Sequence, residues 1–207
     1  MNIAIRLFIG YFLIVGLAAW FVVNIFAREV EPGVRQATED ALVDTANVLA
    51  ELAADDMARG KLANGRFAGA LQNALQRQMH AEIYDIVKEN VEIRVIATND
   101  QGIVVFDSEN AVVGADYSQW RDVSRVLRGE YGARSTRDDP GDPDSSVMYV
   151  AAPITLGGKT IGVLSVAKPA ASLMPYADRA RDRVRRAGFW LLAASAATGL
   201  AFTLWLT

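Results

Sequence analysis

Two long stretches of this chain, Leu7 to Phe26 and Ala187 to Thr207, contain no Asp, Glu, Lys or Arg. At about 1.5 Å of helix rise per residue, some 20 apolar residues match a bilayer core about 30 Å thick. The second stretch has Trp190 near one end and Trp205 near the other, and small residues between them that suit helix contacts in lipid. A cleaved signal peptide is the competing reading of the first stretch. Its apolar run is longer than a usual signal core, however, and Ile25-Phe26-Ala27 is a poor cleavage site. A buried core helix is the alternative for the second, and would need partner helices on every side. The chain therefore divides into a short N-terminus (1–6), a first transmembrane helix (7–26), a soluble domain (27–186) and a second transmembrane helix (187–207).

All 24 acidic residues lie in the soluble domain with 20 of the 21 basic ones, a net charge of −4 that argues against a nucleic-acid partner. The absence of Cys excludes disulfides and thiolate metal sites. Arg179, Arg181, Arg183, Arg185 and Arg186 crowd the entrance to the second span. By the positive-inside rule they favour a cytoplasmic domain, although the rule weakens for long translocated domains. Asp178 and Asp182 are placed to pair with several of them.

Pro32 suits the first turn of a helix running to about Met57 and ending near Gly60. Val34, Ala41 and Val48 recur every seven residues along it, with Thr38, Thr45 and Leu52 alongside, while Glu39, Asp40, Asp44, Glu51 and Asp55 lie off the stripe. The stripe fits either a partner helix or the domain's own sheet. A second helix is expected from Phe67 to about Gln78. Two β-branched runs follow, Val91 to Thr98 and Gly102 to Ser108, joined by a turn as a hairpin. Tyr117 to Arg128 has helical spacing and stops at Gly129. After a polar loop, Asp138 to Ser145, the runs Val147–Ile154 and Thr160–Ala167 flank Leu156-Gly157-Gly158-Lys159, a second hairpin signal. A last helix from about Ala170 would run into the second span and join it to the sheet. The fold class is α+β, with an antiparallel sheet and a long N-terminal helix.

No catalytic or metal site emerges from these residues. Gly157-Gly158-Lys159-Thr160 lacks the first Gly of a phosphate loop, since Pro153 stands there. The acids Asp138, Asp139, Asp142 and Asp144 are interrupted by Pro140 and lack a closing Glu for Ca²⁺. His80, the only histidine, has no evident partner for acid–base work.

The turn Asn99-Asp100-Gln101-Gly102, the strand end Phe106-Asp107-Ser108, the step Gly114-Ala115-Asp116-Tyr117-Ser118 and the closing hairpin around Tyr149–Ile154 and Ile161–Val166 together resemble PAS-like single Cache sensor domains. From Arg6–Phe12 through Glu39–Asn47 to Arg128–Thr136, the chain is similar to the N-terminal sensory half of sensor histidine kinases of a carbon-source-responsive two-component system. That resemblance implies a multi-pass protein of the bacterial inner membrane, in contact with membrane lipid, with its soluble domain in the periplasm. It also implies a homodimer, a signal passed through the second span, and a cytoplasmic response regulator reached through a kinase part beyond Thr207, where ATP and Mg would belong. His80 in Gln78-Met79-His80-Ala81-Glu82 does not match that family's acceptor box. No cofactor is expected in this region. A chemoreceptor or cyclase could use the same input domain, and an envelope protein-interaction domain would bind no small molecule.

Polar residues on otherwise apolar strands are the ligand-binding candidates: Arg94, Asp107, Tyr149, Ser165 and Lys168, joined by Tyr117 on the covering helix and Arg134 in the connecting strand. Arg or Lys would suit a small carboxylate or phosphate. The bland alternative is that these side chains are solvated or form internal ion pairs. Val34, Ala41 and Val48 are dimer-helix candidates, and Arg179, Arg183 and Arg186 signal-helix candidates.

Overall fold

The computed structural model describes residues 3–83, 86–137, 141–142 and 145–205. Two compact units result: Gln36–Met174 forms one, and Met1–Arg35 with Pro175–Thr207 forms the other. Five residues of the expected polar loop, Asp138, Asp139, Pro140, Pro143 and Asp144, lie outside the described residues, and with them most of the possible Ca²⁺ ligands.

A single helix, α1 (Ile3–Ala58), supplies the first span and the expected N-terminal helix together. Pro32 therefore lies inside a helix rather than at its start. The bond it forgoes, to the carbonyl of Arg28, falls on an exposed stretch where water can replace the missing donor, which limits the usual cost of an internal Pro. The helix stops at Gly60, which takes φ +64°. The Gly60 N–H donates to the Met57 carbonyl and that of Lys61 to the Asp56 carbonyl, the two reversed bonds of a Schellman end.

In the first unit, α2 (Arg66–Leu75) is shorter than the expected Phe67–Gln78. Its N-terminus is capped from α1, because the Phe67 N–H donates to Asp56 Oδ2 at 2.8 Å. That bond, followed by the one from Arg59, holds the Asp56 carboxyl below its ordinary pKa. A short hairpin that the sequence pattern does not reveal, β1 (Ala81–Ile83) with β2 (Ile86–Lys88), follows. The main sheet has β3 (Arg94–Asn99), β4 (Val104–Asp107), β5 (Gly132–Arg137), β6 (Ser146–Leu156) and β7 (Lys159–Pro169) in the antiparallel order β4-β3-β7-β6-β5. Both expected hairpins form. In the second, Gly157 and Gly158 both take positive φ, as a two-residue turn whose twist matches its strands requires. Between β4 and β5, α3 (Arg121–Leu127) is helical only from Arg121, so Tyr117 to Trp120 form its non-helical approach.

One face of the sheet packs on α1 and α2. Leu42, Ala46, Ala50 and Ala53 of α1, with Phe67 and Leu71 of α2, bury against Val95, Ala97, Val150, Ala152, Leu164 and Val166. Ala at three of four successive inward turns lets the α1 backbone approach the strands closely. Ala41, Val48 and Leu52 point away from this core, Val48 and Leu52 being 61% and 64% exposed, while Val34 is half-buried. The stripe therefore does not pack on the domain's own sheet.

The second unit pairs the N-terminal part of α1 with α4 (Met174–Trp205). The last helix thus begins at Met174, and the Ala170–Ser172 segment is a 3-10 turn instead. Small residues allow close approach: a Cβ at Gly188 would collide with Val23, and one at Gly199 would press on Phe8. Arg181 bonds Glu31 across the pair at 2.5 Å. Leu17, Trp20 and Trp190 face outward with more than half of their surface exposed, and both helices are long and apolar enough to cross a membrane.

Gly162, opposite Asn99 on β7, has no room for a side chain, because a Cβ there would meet the Thr98 carbonyl and Met57. Since a backbone carbonyl in a sheet cannot step aside, Gly162→Ala should cost about 1–3 kcal/mol in urea unfolding.

Candidate functional site

Strand register places most of the candidate ligand residues on the sheet face opposite α1. Arg94, Ala167, Tyr149 and Arg134 oppose one another in a single rung across β3, β7, β6 and β5. The next rung on that face runs Asp107, Ile96, Ser165, Ala151 and Gly132. Tyr117 packs on the same face with Ala151 and Val163, under Val123 and Val126 of α3. Lys168 opposes Met148, one residue out of phase, and so lies on the other face. There its ammonium approaches the Glu92 carbonyl at 3.4 Å. Burial, with Lys88 close by, lowers its pKa against the pull of Glu92.

The centre of the face is Arg134. Its guanidinium carbon is 3.6 Å from the Tyr149 ring centroid and 4.1 Å from that of Trp120, so the cation is sandwiched between two aromatic faces, with Tyr117 at 5.9 Å. Its Nε donates to Asp122 Oδ1 at 2.7 Å and its Nη1 to Thr136 Oγ1 at 2.6 Å. Asp122 is fully buried, and its second oxygen accepts from Ser165 Oγ at 3.0 Å. Helix α3 carries this carboxylate close to β5 because Gly132 leaves no Cβ to strike the Asp122 carbonyl and Val126. Asp122, Trp120 and Thr136 were not among the sequence candidates. The available signal was an acid beside Val123 and Val126 on the face of a short amphipathic helix that must be buried.

Arg94 and Asp107 form a separate cluster at the β3–β4 edge. Arg94 grips both Asp107 oxygens, at 2.9 and 2.8 Å, and reaches Glu109 at 3.3 Å. Asp107 also accepts from the backbone N–H groups of Glu109, Ala111 and Val112. Burial alone would raise its pKa. The Arg94 bonds and the three N–H groups outweigh that effect and hold it at about 2. The bond to Asp107 in turn raises the pKa of Arg94 above the ordinary guanidinium value. This pair holds the loop after β4 to the edge of the sheet.

The face thus gathers Arg94, Asp107, Tyr117, Arg134, Tyr149 and Ser165 and leaves out Lys168. Its two strand arginines are engaged in internal ion pairs, the bland alternative for these charges. An anion could take Arg134 and Ser165 only by replacing Asp122, and a cation could enter the aromatic sandwich only by replacing Arg134. Open clefts also lie on the unit. One, of about 480 Å³, is lined by Asn64, Gln72, Phe106, Asn110 and the candidate Asp107, and another, of about 470 Å³, by Leu52, Asp55, Arg59 and Ala70. His80 is exposed.

Asp107 should dominate part of the acid response. Its folded pKa of about 2 lies below the ordinary aspartate value of 3.8, so the unfolded chain binds the proton first as pH falls. Its stabilisation is present above pH about 4 and is lost between about 4 and 2. Asp107→Asn should remove that portion of the pH dependence in chemical unfolding. Asp122→Ala, which strands the Arg134 cation among the rings, should cost about 3–5 kcal/mol, and Arg134→Leu in the same chain should recover part of it.

No protein-family model matches the chain. Over 206 residues it is 50% identical to Sensor protein CreC of Escherichia coli (strain K12), an alignment that takes in all of this chain and 44% of the relative. The chain therefore spans less than half the length of that relative. The sensor domain of the V. cholerae histidine kinase DctB shares the fold, with a TM-score of 0.51 at 12% identity over 74% of this chain and 58% of that one. The chain is thus similar over its whole length to part of a sensor protein, and its α+β domain, with a helix apolar enough to cross a membrane at each end of the sequence, shares the fold of a histidine-kinase sensor domain.

Proposed function

We propose that this chain is the input region of a membrane-bound sensor histidine kinase that works as a homodimer, with both terminal helices in the inner membrane and the α+β domain in the periplasm. The observation that carries this reading is 50% identity to CreC along the whole chain. The kinase part, its ATP and Mg, and the response regulator it addresses belong to sequence beyond this region. A carbon-source signal is the expected input. The dimer is supported by the outward face of α1, where Ala41, Val48 and Leu52 are exposed on a helix whose opposite face fills the core. Apolar residues repeated on an exposed helix face suit a second copy of the same helix.

Signal output in this reading is a shift of α4 against its neighbours, coupled to the sheet through β7 and the Ala170–Ser172 turn. A ligand can drive it only by binding two states of the domain unequally. The Arg134–Asp122 contact is the place where such a difference could be made, because α3 is held to the sheet through it. A second reading, a domain that binds an envelope protein and no small molecule, is favoured by one observation: the strand arginines are already paired internally.

The chain has no Cys, so single cysteines report cleanly. Val48→Cys should crosslink to its mate under oxidation in membranes. Asn47→Cys, about 100° around the helix, should crosslink poorly. Equal yields at both positions, or none at Val48, would refute the α1 dimer. Cysteines at Arg179, Arg183 and Arg186 should change their crosslinking pattern when the inducing carbon source is supplied. An unchanged pattern would remove α4 as the output element. A thermal-shift screen of the whole chain in nanodiscs against carbon metabolites separates the two readings, since a specific ligand raises apparent stability and an envelope-protein binder gives flat responses.

A further inference from the structure

The five arginines ahead of the second apolar stretch do not behave alike. Arg181 is taken up by Glu31 at 2.5 Å and Asp178 at 3.6 Å. Asp182, expected to neutralise its neighbours, makes no ion pair among the described residues; only its backbone carbonyl meets Arg186 Nε, at 3.4 Å. The side chains of Arg183 and Arg185 are exposed and make no ion pair or hydrogen bond among the described residues, and the same holds for Arg28 on α1. The structure thus separates one arginine that ties the two helices together from a group that points outward with its charge unspent.

Position along the helix says what that group meets. Arg186 abuts the uncharged run, and Arg183 precedes Ala187 by four residues, about 6 Å of helix. Arg28 follows Phe26 by two residues, about 3 Å. A bilayer's polar layer is about 5–7 Å deep on each side of its hydrocarbon core, and the backbone positions of Arg28, Arg183, Arg185 and Arg186 lie within that distance of the uncharged runs. Arg179, about 12 Å from Ala187, lies beyond it. Phe189 and Trp190, 65% and 69% exposed just inside the boundary, are the aromatic residues expected at that depth.

We propose that Arg28, Arg183, Arg185 and Arg186 form a collar that binds the phosphates of anionic phospholipid headgroups. The inference rests on the membrane reading above. The planar guanidinium fork donates two parallel N–H bonds to a phosphate, which a point charge cannot do. The same contacts account for a cluster of arginines beside a translocated domain, because the charges are held at the lipid surface on whichever side that domain lies.

The test uses the whole chain in micelles containing equal phosphatidylglycerol and phosphatidylcholine, with retained lipids counted by native mass spectrometry. Phosphatidylglycerol should be enriched, by up to about fivefold for each arginine engaged, and the enrichment should fall as salt is raised. Arg28→Gln, Arg183→Gln, Arg185→Gln and Arg186→Gln together should bring the ratio to that of the bulk mixture, whereas Arg181→Gln should leave it enriched. The single Arg185→Gln variant, which disturbs the helix least, should lower the ratio measurably. No enrichment, enrichment that survives the fourfold substitution, or enrichment abolished by Arg181→Gln alone would overturn the collar. Displacement of the lipid by an equal concentration of inorganic phosphate would overturn the headgroup assignment. Carbonate extraction is read in parallel: a chain washed from membranes refutes the spanning reading itself, and one that stays but shows no lipid preference refutes only the collar.

Discussion

The buried ion pair between Asp122 and Arg134 sets the geometry of the sheet face opposite α1. A carboxylate with no exposed surface is tolerable only when its charge and its lone pairs are matched, and here Arg134 and Ser165 match them. The pair crosses between layers: Asp122 belongs to α3, and its two partners to β5 and β7. Two aromatic faces enclose the cation, which excludes water and strengthens the electrostatic attraction. The position of α3 on the sheet is therefore specified by a polar contact with demanding geometry as well as by the burial of Val123 and Val126.

The opposite face is organised differently. There α1 meets the sheet through Ala46, Ala50 and Ala53, which contribute proximity more than bulk, while larger side chains from α2 and the strands fill the space. The same helix leaves Val48 and Leu52 in solvent. A helix with one apolar face in a core and another left exposed can serve two packing partners, and that duality supports a paired assembly. The Arg94–Asp107 cluster stabilises a third place, the loop after β4, by concentrating two ion-pair bonds and three backbone bonds on one carboxylate.

Within the helical pair, close packing at Gly188 and Gly199 and the bridge from Arg181 to Glu31 join α1 and α4. The acids that looked able to neutralise the arginine cluster do so for one residue only. Charge counted along a helix overestimates pairing, because each i,i+3 or i,i+4 pair is worth little and a long side chain gives up rotamer freedom to form it.

Some of this was legible in the amino-acid sequence. The uncharged runs identified both membrane-length helices, because span length is set by bilayer thickness alone. Gly157-Gly158 and the Asn99–Gly102 turn announced both hairpins, since turn geometry is a local property. Alternation along the strands picked out polar residues on apolar β-runs. Pro32 misled, as local propensity was overridden by a helix continuing on both sides of it. Which strands become neighbours was decided only by the tertiary structure. The β3–β7 pairing joins segments some 70 residues apart, and that register brings Arg94, Tyr149 and Arg134 into one rung while sending Lys168 to the other face. The partnership of Asp122 with Arg134 was likewise hidden, because period and propensity describe one element at a time, whereas a buried charge chooses its partner across elements.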